Sequence, residues 1–113
     1  MNSLYRLMKI LDLFDGGSAV VAVDQMSAEL GYTRSTLYRY LKVLSDAGLI
    51  STWNGGGYSL GPRVFELQAR LQAVDPFLVA GREGLASLAR AQRGFGLVCR
   101  RHKDRVLSIH CEA

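Results

Sequence analysis

The sequence predicts a mainly helical chain with a small amount of β-structure, an α+β fold, and three observations carry that prediction. Apolar residues recur at helical spacing in the N-terminal half, at Leu4, Leu7, Met8, Leu11 and Phe14 and again at Leu37, Tyr40/Leu41 and Leu44. Two β-prone runs, Leu49–Trp53 and Tyr58–Leu60, flank Asn54-Gly55-Gly56-Gly57, a strong hairpin signal with a loose tip. The C-terminal end alternates apolar and polar residues twice, at Phe95, Leu97 and Cys99 and at Leu107, Ile109 and Cys111, which reads as an antiparallel hairpin with one apolar face.

Taken in order, the first helix runs over residues 3–15 and stops at Gly16-Gly17. Val20, Val21 and Val23 form a short β-prone stretch. Asp24 is an N-cap candidate for a helix over Gln25–Leu30, which Gly31 ends. Thr33 caps the next helix, closed by Gly48. Pro62 suits the first turn of a further helix with an apolar stripe of Val64, Leu67 and Leu71. Asp75-Pro76 repeats that device as N-cap and first residue of a helix reaching about Gln92, weakened by Gly81 and Gly84 and ended by Gly94. The expected organisation is a domain over residues 1–61, a linker or dimerisation helix over 62–74, and a further α/β segment over 75–113.

Composition narrows the function classes. With 113 residues, 49% hydrophobic and 21% charged, the chain has ordinary globular usage and room for one small domain plus part of another. No apolar run approaches the ~20 residues of a membrane-spanning helix, and the N-terminus does not read as a signal peptide, so a cytoplasmic protein without a membrane partner is expected. Cys99 and Cys111 are too few for a disulfide scaffold. With Cys99, His102, His110 and Cys111 as its soft ligands, all near the C-terminus, a zinc module is not expected. If the turn of the last hairpin centres near Lys103, Cys99 faces about Leu107 and the two cysteines stand ~14 Å apart, beyond the ~7 Å a disulfide needs. No nucleophile has a His and a carboxylate arranged around it. The glycine triplet lacks the lysine of a phosphate loop. No enzyme activity, cofactor, catalytic residue or metal site is expected.

The net charge of +4 lies entirely in residues 62–113; over residues 1–61 five basic and five acidic residues cancel. The local pattern says more. Between Thr33 and Ser45 there are three cations, Arg34, Arg39 and Lys42, and no acid. The order helix, short strand, helix, tight turn, helix, hairpin is that of a winged helix-turn-helix. Ser27 lies four residues before Gly31, a small residue where two helices cross and a glycine where the chain turns sharply. The outer face of the third helix then presents Arg34, Ser35, Tyr38, Arg39 and Lys42. Arginine can bond guanine bidentately, hydroxyls reach phosphates or bases, and lysine neutralises phosphate.

Over Ser3–Pro62 the sequence resembles the DNA-binding domain of IclR-type bacterial transcriptional regulators. The matching segments are SLYRLMKILDLF, MSAELGYTRSTLYRYLKVLSDAGLI and YSLGPRVFEL, with the Arg-Ser-Thr run at the third helix and the Leu-Gly-Pro-Arg run after the wing the most specific. The resemblance implies double-stranded DNA as partner, read at a palindromic operator by a homodimer or dimer of dimers. It also implies a small-molecule effector bound by a larger α/β domain, of which residues 75–113 would be only the start. The candidate DNA-binding residues are Thr33, Arg34, Ser35, Thr36, Tyr38, Arg39 and Lys42, with Trp53, Asn54, Gly55 and Gly56 in the wing. The chain departs from the family in having no charged residue between Ala47 and Pro62; Thr52, Gly57 and Ser59 stand where basic side chains are expected.

Each of these residues also has a plainer reading. Arg34 and Arg39 can be solvated surface arginines, Tyr38 a packing residue, and Trp53 a strand residue on an apolar face. Met8 and Met26 read as core. The expected core is Leu7, Leu11, Leu30, Leu37, Leu41, Leu44, Ile50 and Leu60. The alternative function is a winged helix used for protein interaction or dimerisation without DNA specificity, which the neutral first half and uncharged wing favour.

Overall fold

A computed structural model describes residues 2–15, 19–91 and 96–112. The chain divides into two compact units, Met1–Leu67 and Gln68–Ala113. The mainly helical α+β fold expected from the sequence is the fold observed.

In the first unit, α1 (Ser3–Lys9) opens on an Asn2 cap whose side chain accepts from the Tyr5 amide. It tightens into a 3-10 turn over Ile10–Leu13. The buried face of this segment differs in phase from the expected stripe. Ile10 is fully buried and Leu7, Leu11 and Phe14 are half-buried, whereas Leu4 and Met8 are 74% and 53% exposed. Both stripes have helical spacing and share Leu7, Leu11 and Phe14; the core takes the one that carries Ile10. Of the two methionines read as core, only Met26 is buried. The expected stop at Gly16-Gly17 lies outside the described residues.

The Val20–Val23 stretch forms no strand. It contributes one antiparallel bridge, Val21 to Tyr58, with Val21 fully buried beside the hairpin. Next comes α2 (Val23–Leu30), which starts two residues earlier than expected. Ala22 is its cap and Asp24 lies in its first turn, where a carboxylate favours the positive helix end, rather than at the N-cap. Gly31 ends it in the left-handed conformation, φ 72°, with its amide on the Ser27 carbonyl. The third helix, α3 (Arg34–Asp46), buries Leu37, Tyr40, Leu41 and Leu44 at steps of three and four. Together with Ile10, Val21, Met26, Tyr32 and Ile50 they form one core cluster, in which each fully buried aliphatic chain contributes about 1.5–3 kcal/mol.

Strands β1 (Ile50–Thr52) and β2 (Tyr58–Leu60) pair antiparallel with Ile50 opposite Leu60. Ile50 is buried, but Leu60 is 43% exposed and drops out of the expected core. Ile50 belongs to the core cluster and Tyr58 packs against it in part, whereas Leu60 stands outside it. Gly57, with φ 87°, is pressed against the Val20–Val21 segment: a β-carbon there would stand 3.0 Å from the Val21 carbonyl oxygen. The uncharged Gly57 is thus a requirement of the sheet. After it, α4 (Arg63–Val74) begins with the Pro62 carbonyl accepting from the Phe65 and Glu66 amides, so Pro62 is the cap residue rather than a first-turn residue.

The second unit holds α5 (Pro76–Ala91) and the hairpin β3 (Gly96–His102) and β4 (Arg105–Glu112). Asp75 caps α5 as expected, its Oδ1 accepting from the Phe77 amide at 2.9 Å. Its Oδ2 meets the Arg100 guanidinium of β3, and Asp75 is 8% exposed. Leu78, 3% exposed, fills the floor beneath the cap, and Leu71, Leu78 and Leu107 line a cleft of about 300 Å³.

The hairpin register differs from expectation. Its turn falls at Lys103-Asp104, so Cys99 pairs with Ser108 and Leu107 with Arg100. Residues paired across an antiparallel ladder share a face, so Leu107 shares its face with Arg100 rather than with Cys99. A register shift between Val98 and Cys99 then sets Leu97 opposite Cys111. Along the ladder the cysteines are thereby two residues apart, about 7 Å, instead of the ~14 Å expected. Cys99 is a free, exposed thiol. The side chains of Ile109 and Cys111, together with Gln92, Gly94 and Phe95, lie outside the described residues.

Candidate nucleic-acid interface

The turn between α2 and α3 is held from three sides. The Ser27 hydroxyl donates to the Tyr32 carbonyl at 2.9 Å, and the Tyr32 hydroxyl donates to the Arg6 carbonyl at 3.0 Å. The Tyr32 ring meets Tyr40 edge-on with centroids 6.0 Å apart, and the Arg6 guanidinium lies 4.5 Å from its centroid. Ser27 is therefore more than a small residue at a crossing, since it bonds the turn directly.

Thr33 caps α3. Its Oγ1 accepts from the Thr36 amide at 3.4 Å and donates to the Thr36 hydroxyl at 3.0 Å. Those two hydroxyls are thus engaged with each other at the helix start. Residues Arg34, Ser35, Tyr38, Arg39 and Lys42 are exposed, on the face opposite Leu37, Tyr40, Leu41 and Leu44. Tyr38 is 48% exposed while Tyr40 is buried, so the packing tyrosine is Tyr40.

The three cations of that face are not bare. Arg34 forms an ion pair with Asp24 in the first turn of α2. Lys42 Nζ lies 3.7 Å from Asp46, one turn on. The Arg39 guanidinium stands 5.5 Å from the Tyr40 ring centroid. Asp24 joins this face through its pair with Arg34, a place its sequence signal as a cap does not reveal. The available cue was an acid opening α2 and a base opening α3, two first turns that a tight helix-turn-helix brings together. The tie of Arg6 to the turn is likewise invisible in the sequence, since it depends on the fold of α1 over Tyr32.

At the wing, the Trp53 amide donates to the Gly57 carbonyl and the Gly56 amide to the Trp53 carbonyl, closing the loop. Trp53, Asn54, Gly55 and Gly56 are exposed. Trp53, 54% exposed, lies just beyond β1 rather than within a strand. Gly55 has open space around the position a β-carbon would take, unlike Gly57. Among the described residues no cluster of three metal-ligating side chains occurs, and no helix is long and apolar enough to cross a membrane.

Residues 3–52 match the family model of the IclR helix-turn-helix domain. No curated protein sequence matches the chain. Among the solved structures similar over nearly its whole length are the following three. An IclR transcriptional regulator structure from Silicibacter sp. has TM-score 0.80 at 23% identity, covering 97% of this chain and 44% of that one. One from Alicyclobacillus acidocaldarius has TM-score 0.78 at 22% identity, covering 96% and 45%. The Thermotoga maritima IclR has TM-score 0.74 at 17% identity, covering 98% and 45%. At these identities the likeness establishes the fold, and the chain spans less than half the length of each of these proteins.

Proposed function

We propose that the protein is a sequence-specific, DNA-binding transcriptional regulator of the IclR type, a reading supported by the match of residues 3–52 to the IclR helix-turn-helix family model. The observation that carries the reading is the division of α3 into two faces. Leu37, Tyr40, Leu41 and Leu44 are spent on the core, while Arg34, Ser35, Tyr38, Arg39 and Lys42 stand out from it. In this reading the exposed N-terminal part of α3 enters the major groove, with Arg34 and Arg39 at base edges and Lys42 at phosphate. Thr33 and Thr36 hold the helix start, Ser35 and Tyr38 complete the contact, and Trp53, Asn54, Gly55 and Gly56 form an uncharged wing that approaches the backbone.

The organisation proposed with it is a DNA-binding domain over residues 1–61, a dimerisation helix over 62–74 and the start of an effector-binding domain over 75–113. The protein acts in the cytoplasm as a homodimer or dimer of dimers on a palindromic operator, and a small molecule bound beyond this segment modulates it. Exposed Leu67 and Leu71, on the Val64/Leu67/Leu71 stripe of α4, support a dimer contact there. The reading involves no enzyme activity and no cofactor.

A gel shift on the DNA upstream of the protein's own gene, at two salt concentrations, tests it. Retarded complexes should form at low salt, weaken as salt rises and survive unrelated competitor DNA. Replacing Arg34 and Arg39 together by alanine should abolish the specific complex; normal binding by that double variant would refute the recognition-helix assignment. The second reading, a protein-interaction module without DNA specificity, is favoured by the carboxylates beside Arg34 and Lys42. Competition by any duplex equally well would select it.

A further inference from the structure

Arg34 is the first residue of α3, and Asp24 lies in the first turn of α2; ten residues apart in sequence, their side chains meet as an ion pair. Both are well exposed, 61% and 76% at the side chain, so the pair adds little to folding stability. Its position is informative. A cation at a helix N-terminus stands against the positive end of the helix dipole, so an arginine there has no local partner in its own helix. No acid occurs in the first turn of α3. The anchor comes instead from the neighbouring helix.

We propose that Asp24 is a specificity-determining positioning residue, whose carboxylate fixes the Arg34 guanidinium for reading base edges and cancels its charge on DNA of the wrong sequence. This rests on the DNA-binding reading given above. A guanidinium has five N–H donors in a rigid fork, and one of its nitrogens, Nη2, meets Asp24 Oδ1. Donors remain for a pair of acceptors such as guanine O6 and N7. A free arginine at this point could swing to any nearby phosphate and bind every sequence alike. Held by Asp24, it gives up that option, because leaving the carboxylate exposes an anion to the phosphate backbone. On a matching sequence the base acceptors compensate. On any other, the Asp24–Arg34 pair brings no net cation to the DNA and releases no counterion. Asp24 thereby lowers binding to all DNA and lowers it least at the right site.

The test compares the full chain with its Asp24→Asn, Arg34→Ala and doubly substituted variants. Two probes serve: a duplex enriched by the unsubstituted protein from a random-sequence pool, and an unselected random-sequence duplex, each across a salt series. Asp24→Asn should bind the unselected duplex more tightly, steepen its salt slope by about one unit and reduce the ratio of selected to unselected affinity about tenfold. In the Arg34→Ala background the same change should leave that ratio where it was. Glu83→Gln makes the same change in net charge on α5, from an exposed position, and should not alter the ratio. Circular dichroism should give the same helix content for all variants. An Asp24→Asn protein that keeps its selectivity while Arg34→Ala loses it would overturn the inference and leave the regulator reading standing. So would an equal fall of the ratio with Arg34 absent. A protein that enriches no sequence at all would overturn both.

Discussion

The Gly61 amide donates to the Leu49 carbonyl at 2.8 Å, and its α-carbon lies so close to Gly48 that a β-carbon at residue 61 would stand 2.3 Å from the Gly48 carbonyl oxygen. The same carbonyl accepts from the Arg63 amide at 3.0 Å. The end of α3, the return strand of the wing and the start of α4 are thus clamped at one backbone contact. The obstructing atom is main chain, which cannot rotate away. Gly61→Ala should therefore cost about 1–3 kcal/mol, read as a lower urea midpoint with an unchanged slope.

On the proposed DNA-binding reading, the Lys42–Asp46 pair governs the phosphate contribution of α3. Lys42→Ala should lower the salt slope of DNA binding by about one unit and weaken binding to all sequences alike. Asp46→Asn frees Lys42 and should steepen the slope. Unchanged slopes in both would place Lys42 away from phosphate.

The wing offers a contrast between neighbouring glycines. Gly55 has open space and no positive φ, so Gly55→Lys should fold normally and tighten non-specific binding at low salt. Gly57 has φ 87° and the Val21 carbonyl in its way, so Gly57→Lys should lose stability whatever its effect on DNA. Equal melting temperatures for the two variants would contradict this account of the hairpin.

Asp75 joins a helix cap to an ion pair. Asp75→Ala removes both and should cost the C-terminal unit about 1–2 kcal/mol, whereas Asp75→Asn keeps a cap oxygen. Hydrogen exchange at the Phe77 and Leu78 amides should accelerate in the alanine variant and remain slow in the asparagine one.

The exposed apolar residues of α4 bear on assembly. On the Val64/Leu67/Leu71 stripe Leu67 is 42% exposed and Leu71 54%, on a helix with no buried residue among those described. Light scattering should show a concentration-dependent dimer that Leu71→Glu disrupts. A stable monomer at micromolar concentration would refute the proposed dimerisation helix.

The sequence made α3 legible because its cap and its apolar spacing agree: Thr33 opens it, and Leu37, Tyr40, Leu41 and Leu44 recur where burial needs them. In α1 the helix is legible but its phase is not, because Leu4 and Met8 compete with Ile10 for the stripe that Leu7, Leu11 and Phe14 share. Local pattern could not choose between them; the core could. The partners of the recognition-face cations were hidden for another reason. A window from Thr33 to Ser45 holds no acid, yet Asp24 arrives from α2 and Asp46 stands one residue beyond its edge. The restrictions on Gly57 and Gly61 come from backbone on other segments, to which a reading along the chain is blind.

On α3 the residues that build the core and the residues that face outward share no position. Replacing an outward-facing side chain away from a cap or network typically shifts stability by less than about 0.5 kcal/mol. Ser35, Tyr38 and Arg39 can thus be exchanged in evolution or in the laboratory at almost no folding cost, while Leu37 and Leu41 stay fixed. On the proposed reading the helix is an interchangeable address carried on a constant frame, whose target can change long before its shape does.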